Sequence, residues 1–196
     1  MMKLPATTFL LSTALACACA SAETLNFEPL GSVEWTSTTL DLDGTLIQGF
    51  GTRFYIFASD VDLQILPGDG GAICSAFRPD PDTLRCAADM QISFKTAVSS
   101  LSFQTFGHDD GDSVTISAYA GSSMLDSQAV AADKVVDFSG LSGVTRLVFD
   151  DQSQGSGYAF GRFSFTTSPV PEPSTGLLML LGVAALGQFA RRRQAR

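Results

Sequence analysis

Apolar and polar residues alternate over most of the chain. In "MQISFKT" (residues 90–96) Ile92 and Phe94 alternate with Ser93 and Lys95, and in "SLSFQTF" (100–106) Leu101 and Phe103 alternate with Ser102 and Gln104. "DSVTISAYA" (112–120) sets Val114, Ile116 and Ala118 on one face and Thr115, Ser117 and Tyr119 on the other. "RLVFDD" continues the pattern with Leu147 and Phe149, and "RFSFTT" with Phe163 and Phe165. A period of two, rich in Phe, Val, Ile and Thr, predicts half-buried antiparallel strands. Between the runs stand "PGDGG" (67–71), "GHDDGD" (107–112), "AGSS" (120–123), "SGLSG" (139–143) and "DDQSQGSG" (150–157). Such residues favour turns, because they tolerate positive φ or hydrogen-bond their own backbone. Strands about ten residues apart, with no stretch of helical period, predict an all-β fold, an antiparallel β-sandwich of jelly-roll kind.

The two ends break the pattern. Residues 1–22 hold one cation, Lys3, then the apolar "TFLLSTALACACA" and the small Ala20-Ser21-Ala22. This is the layout of a secretory signal peptide, with cleavage expected before Glu23. At the other end the Pro-rich residues 169–173 cannot extend a sheet. The uncharged residues 174–190 follow, then the basic 191–196. Seventeen helical residues reach roughly 26 Å, enough for one transmembrane helix in a thin bilayer. Arginines beyond the span predict a cytoplasmic C-terminus.

What remains, residues 23–168, is the one expected folding unit. Its 19 acids face seven cations, a net charge of −12, which disfavours nucleic acid and anionic lipid as partners. Removal of residues 1–22 leaves two of the four cysteines, Cys74 and Cys86, flanking "SAFRPDPDTLR". An even pair in an exported chain predicts a disulfide.

Candidate chemistry is sparse. "LDLDGTL" (40–46) resembles the nucleophile loop of haloacid dehalogenase-like phosphatases, with Asp41 and Asp43 in place of nucleophile and acid/base. The resemblance implies a Mg²⁺ site with Asp150 and Asp151 as metal ligands and Lys134 as the phosphate-stabilising lysine, in the family's order along the chain. Asp-Gly is equally a favoured hairpin turn, and the polar approach "EWTSTTL" is no buried parallel strand. The hairpin is the expectation here, and a non-catalytic protein with it. His108 is the only histidine and is read as a turn residue in a solvated loop. In that loop Asp109, Asp110 and Asp112 offer hard oxygens to a structural Ca²⁺, although the spacing is not that of an EF-hand. Trp35, Tyr55, Tyr119 and Tyr158 are the candidate rings for a carbohydrate platform.

Pro171-Glu172-Pro173 in "VPEPST", the apolar span and Arg191-Arg192-Arg193 together resemble the PEP-CTERM sorting signal of Gram-negative bacteria. The resemblance implies handling by a membrane-embedded exosortase that recognises Pro171, Glu172 and Pro173. It implies delivery from the inner membrane, where the C-terminal helix first anchors the chain, to the cell surface or extracellular matrix of a biofilm or floc former. "HDDGDSVTISAYAGSSMLDSQAV" and "VTRLVFDDQSQGSGYAFGRFSF" are similar to the jelly-roll ectodomains such tails often follow. Gly161-Arg162 stands where those ectodomains tend to carry Asp-Asn before the last "FSF", so no role of that pair carries over. The expected function is a structural or adhesive surface protein. A carbohydrate-binding module acting on exopolysaccharide is the alternative, and a metal-dependent phosphatase the remote one.

Overall fold

The computed structural model describes residues 21–42, 44–109, 111–153 and 157–167. The expected signal peptide up to residue 20, Asp43, Asp110, the sorting tripeptide, the apolar span and the arginines lie outside the described residues. Among the described residues no helix is long and apolar enough to cross a membrane.

The described residues form thirteen strands in chain order: β1 (Ser21–Thr24), β2 (Val33–Trp35), β3 (Thr39–Leu42), β4 (Thr45–Gly49), β5 (Arg53–Phe57), β6 (Ala72–Asp80), β7 (Thr83–Arg85), β8 (Met90–Phe106), β9 (Val114–Ala120), β10 (Ser123–Val130), β11 (Val135–Phe138), β12 (Val144–Asp151) and β13 (Ala159–Thr167). A 3-10 turn, Glu28–Leu30, is the one helical element described. All named strands pair antiparallel, as the sequence predicts.

The 17-residue β8 organises the sandwich. Its first half lies between β4 and β12, with Ile92 opposite Ile47 on one side and Leu147 on the other. Its second half lies between β11 and β13. The segments 90–96 and 100–106, read from the sequence as two strands, are thus one. Small and polar residues between them mark a bend, where Ser100 takes φ 53° and β13 answers with Arg162 at φ 52° and shifts of register. Bulges of this kind turn a strand from one layer into the next. One layer therefore runs β10-β9-β12-β8-β4-β3 and the other β11-β8-β13-β6-β5-β2, with β1 alongside the end of β13.

The inner faces meet in one apolar core. Its centre is Phe103, whose ring stacks 4.9 Å from Phe163 and lies 5.7 Å from Phe149, 6.3 Å from Phe160 and 6.4 Å from Phe138. The faces assigned from the sequence hold: Ile92, Phe94, Leu101, Val114, Ile116, Ala118, Leu147, Phe149, Phe163 and Phe165 are all buried. The expected hairpin is present too. Leu42 pairs with Thr45 across Asp43-Gly44, and Gly44 takes the positive φ of 86° that this turn requires.

β1 begins inside the segment read as signal peptide: Ser21 pairs with Thr167 and Ala22 with Thr166. Cleavage before Glu23 leaves Glu23 and Thr24 on the sheet, and the Glu23 carboxylate accepts a 2.6 Å hydrogen bond from the Thr167 hydroxyl.

Candidate functional site

The outer face of the second layer is concave, and the sequence of β6 explains why. Ala72, Cys74 and Ala76 alternate along that face, where larger residues would fill it. Next to them β5 presents Tyr55 and Phe57, their ring centroids 4.7 Å apart and their planes tilted by 53°. Phe106, at the end of β8, closes the floor.

Two flaps wall this floor. The first is the tight turn Asp60–Ile65, in which the Asp60 carboxylate accepts the backbone N–H groups of Asp62 and Leu63 at 3.0 and 3.1 Å. Leu63 packs so closely on Gly107 that a Cβ there would sit 2.6 Å from it. The second flap is residues 79–88, carrying β7, where Asp80 braces the N–H groups of Asp82 and Thr83. The predicted disulfide is present: Cys74 on β6 is bonded to Cys86, which fastens this flap to the sheet. By the chain-entropy argument a loop of this length stabilises by about 3 kcal/mol. Cys86 also accepts a hydrogen bond from the Tyr158 N–H at 3.2 Å.

The result is a groove of about 510 Å³ with an aromatic and aliphatic floor. Asp60 and Asp62 stand on one flap, Asp82 on the other and Asp109 at the end wall. Arg78 is the cation lining it, and its guanidinium is held by both carboxylate oxygens of Glu34, at 3.2 and 2.6 Å. A pocket of this size, apolar with a few convergent polar groups, has the anatomy of a small-ligand site. The wider cleft of about 730 Å³ beside β1 lacks such convergence: its one ionisable residue, Glu23, is bonded to Thr167.

Beneath the groove's end wall lies a partly buried polar cluster that the sequence concealed. His108, expected in solvent, has a side chain only 1% exposed, stacked 4.5 Å from the Tyr158 ring. Its Nδ1 meets Asp133 Oδ1 at 3.1 Å, and Asp133 also accepts the N–H groups of Gly107 and His108. The Tyr158 hydroxyl donates to Asp151 at 2.6 Å. Burial, and then this bond to Asp151, hold the phenol well above its ordinary pKa, so it remains a neutral donor. His108 looks solvated in sequence because Tyr158, which stacks on it, and Asp133, which bonds it, are remote in the chain.

The other sequence candidates are scattered. Asp112 is buried, and its two carboxylate oxygens accept the N–H groups of Asp109 and Gly157 at 3.2 and 3.3 Å. Its oxygens serve the backbone, and among the described residues no group of three acids, histidines or cysteines is placed to hold a metal ion. With the Asp112 oxygens engaged by these N–H groups, chelation is expected to leave the melting temperature unchanged, since only an ion bound to the native state adds stability. Thermal denaturation with EDTA and with millimolar Ca²⁺ checks this.

Asp41 lies on the β3–β4 hairpin, its carboxylate accepting the Gly44 N–H at 3.1 Å. Asp150 is exposed on β12, roughly 20 Å away by strand spacing and rise. Lys134 adjoins the opposite end of β8, beside Thr105. The residues that echo a phosphatase are not brought together.

Of the four candidate rings, Tyr55 and Tyr158 share the groove. Trp35 is on the edge strand β2, and Tyr119 sits under the Arg146 guanidinium on the opposite layer, 4.5 Å away. Arg162, in place of the missing pair, bonds Gln104 at 2.6 Å and pairs with Asp69, whose carboxyl it holds below its usual range. Phe57, Leu63, Leu84, Phe106 and the acids of both flaps were not found from sequence. The alternating small residues of "AICSAF" were the one available signal.

No curated protein and no solved structure matches the chain. A family model, the PEP-CTERM protein-sorting motif, matches residues 169–194. The match takes in Pro171-Glu172-Pro173, the apolar span and Arg191-Arg192-Arg193. Downstream of an all-β sandwich, the chain carries a PEP-CTERM sorting signal, the mark of an exported protein that an exosortase processes.

Proposed function

We propose that this protein is a non-catalytic, structural or adhesive β-sandwich that exosortase processing delivers to the cell surface or the surrounding matrix. The sorting motif at residues 169–194 carries the reading. The motif begins two residues after β13 ends at Thr167, so the sandwich is joined to its signal directly. In the unprocessed chain the apolar span holds the protein in the inner membrane, with its arginines in the cytoplasm.

Mass spectrometry of the surface-located protein tests this. The expected form ends upstream of the span and lacks the peptide ARRRQAR, while a strain without its exosortase retains the full C-terminus. Full-length protein at the surface of both strains would overturn it.

A second reading, a saccharide-binding module, is favoured by the groove. β13 runs from Ala159, at the groove, to Thr167, where the tail begins. The groove thus lies at the opposite end of that strand from Thr167.

A further inference from the structure

Resting on the saccharide reading, we propose that the groove binds a saccharide bearing an amino group, in preference to neutral or anionic sugars. The floor sets the first requirement. Tyr55 and Phe57 are half-buried and side by side, offering apolar ring faces to the C–H face of a sugar ring. The rim sets the second. Its carboxylates come from three separate segments, Asp60 and Asp62, Asp82, and Asp109, and surround the floor. Hydroxyls radiate from the whole edge of a sugar ring, so acceptors on several sides match them. A lysine or arginine of a peptide brings its donors to one point at the end of a stem.

Charge sets the third requirement. Glu34 pairs with both Arg78 and Arg53, so this trio keeps one positive charge, which the four carboxylates lining the groove outweigh. Carboxylates and aromatic faces both attract an ammonium. A uronate entering the same space meets like charge on both flaps.

The test titrates the full chain in detergent micelles with four probes: a glucosamine tetramer, its N-acetylated counterpart, a galacturonate tetramer and tetralysine. The glucosamine tetramer is expected to bind at least tenfold more tightly than the acetylated one, with no binding by galacturonate or tetralysine. Tyr55→Ala should weaken both glucosamine sugars at least tenfold, and Tyr119→Ala, on the other layer, should weaken neither. Asp82→Asn, at an exposed flap position, should weaken the glucosamine tetramer more than the acetylated one and so reduce the preference for the amine. It keeps the test decisive if Tyr55→Ala unfolds. Equal binding of the two glucosamine forms overturns the inference and leaves the saccharide reading intact. Failure of every saccharide overturns both. Tetralysine binding as tightly as the amino sugar makes the groove a site for basic peptides and overturns both as well.

Discussion

Phe103→Ala is expected to remove about 4 kcal/mol of stability, the usual loss when a fully buried phenylalanine is truncated. The position is severe because Phe103 sits on β8, the strand that belongs to both layers, and meets rings from β11, β12 and β13. Neighbours in three strands fixed by their own ladders cannot collapse onto the space, so the cavity stays open and the loss lies near the upper part of its range. Domains of this size are stable by roughly 5–15 kcal/mol, so the variant loses a large share of the total. Urea unfolding measures it: the midpoint falls and the slope is unchanged. Phe50→Ala provides the contrast. Phe50 is 67% exposed, and its truncation should move stability by no more than about 0.5 kcal/mol. If the two variants unfold together, Phe103 is not the centre of the core.

The features legible in the sequence are those that depend on neighbours close along the chain. A period of two assigned the buried faces of β9 and β12, because side chains alternate across any strand. Asp43-Gly44 marked its hairpin for the same local reason, and two cysteines in an exported chain left one partner for each other. Where burial depends on distant partners, the reading failed. Ala97-Val98-Ser99 separated two predicted strands, yet the pairing of Val98 with Val144 and Thr167 carries β8 through it. His108 and Asp112 looked solvated, yet Tyr158 and Gly157 cover them. The groove was obscured for a third reason. β6 is buried on both faces, inward against the core and outward beneath the flaps, so "AICSAF" shows no alternation of apolar with polar residues. What it shows is one face of small residues alone, Ala72, Cys74 and Ala76, against a face of Ile73, Ser75 and Phe77, and size is what shapes a concavity.

Gly157→Ala is expected to cost on the order of 3 kcal/mol and to open one wall of the groove. Two penalties combine. Gly157 has φ +86°, a conformation that costs an alanine roughly 1–2 kcal/mol. Its added Cβ would also sit 2.1 Å from the Cys86 carbonyl oxygen and 2.7 Å from the Ala87 nitrogen, and relieving such a clash costs roughly 1–3 kcal/mol. The obstruction is backbone, so no side chain can rotate out of the way. Cys86 cannot simply retreat either, because its sulfur is bonded to Cys74 on β6. The strain must therefore pass into the flap, breaking the Tyr158–Cys86 hydrogen bond and shifting Asp82 and Leu84 from the groove. Gly121→Ala separates the two penalties. Gly121 has φ +60° with nothing within 4 Å of its Cβ position, so it should show the conformational cost alone. The difference between the variants, about 2 kcal/mol in thermal or urea unfolding, measures the closeness of flap to sheet. Saccharide affinity should fall in Gly157→Ala and hold in Gly121→Ala. Equal stability losses would mean that the flap does not rest on Gly157, and the groove would lose the wall that the disulfide holds in place.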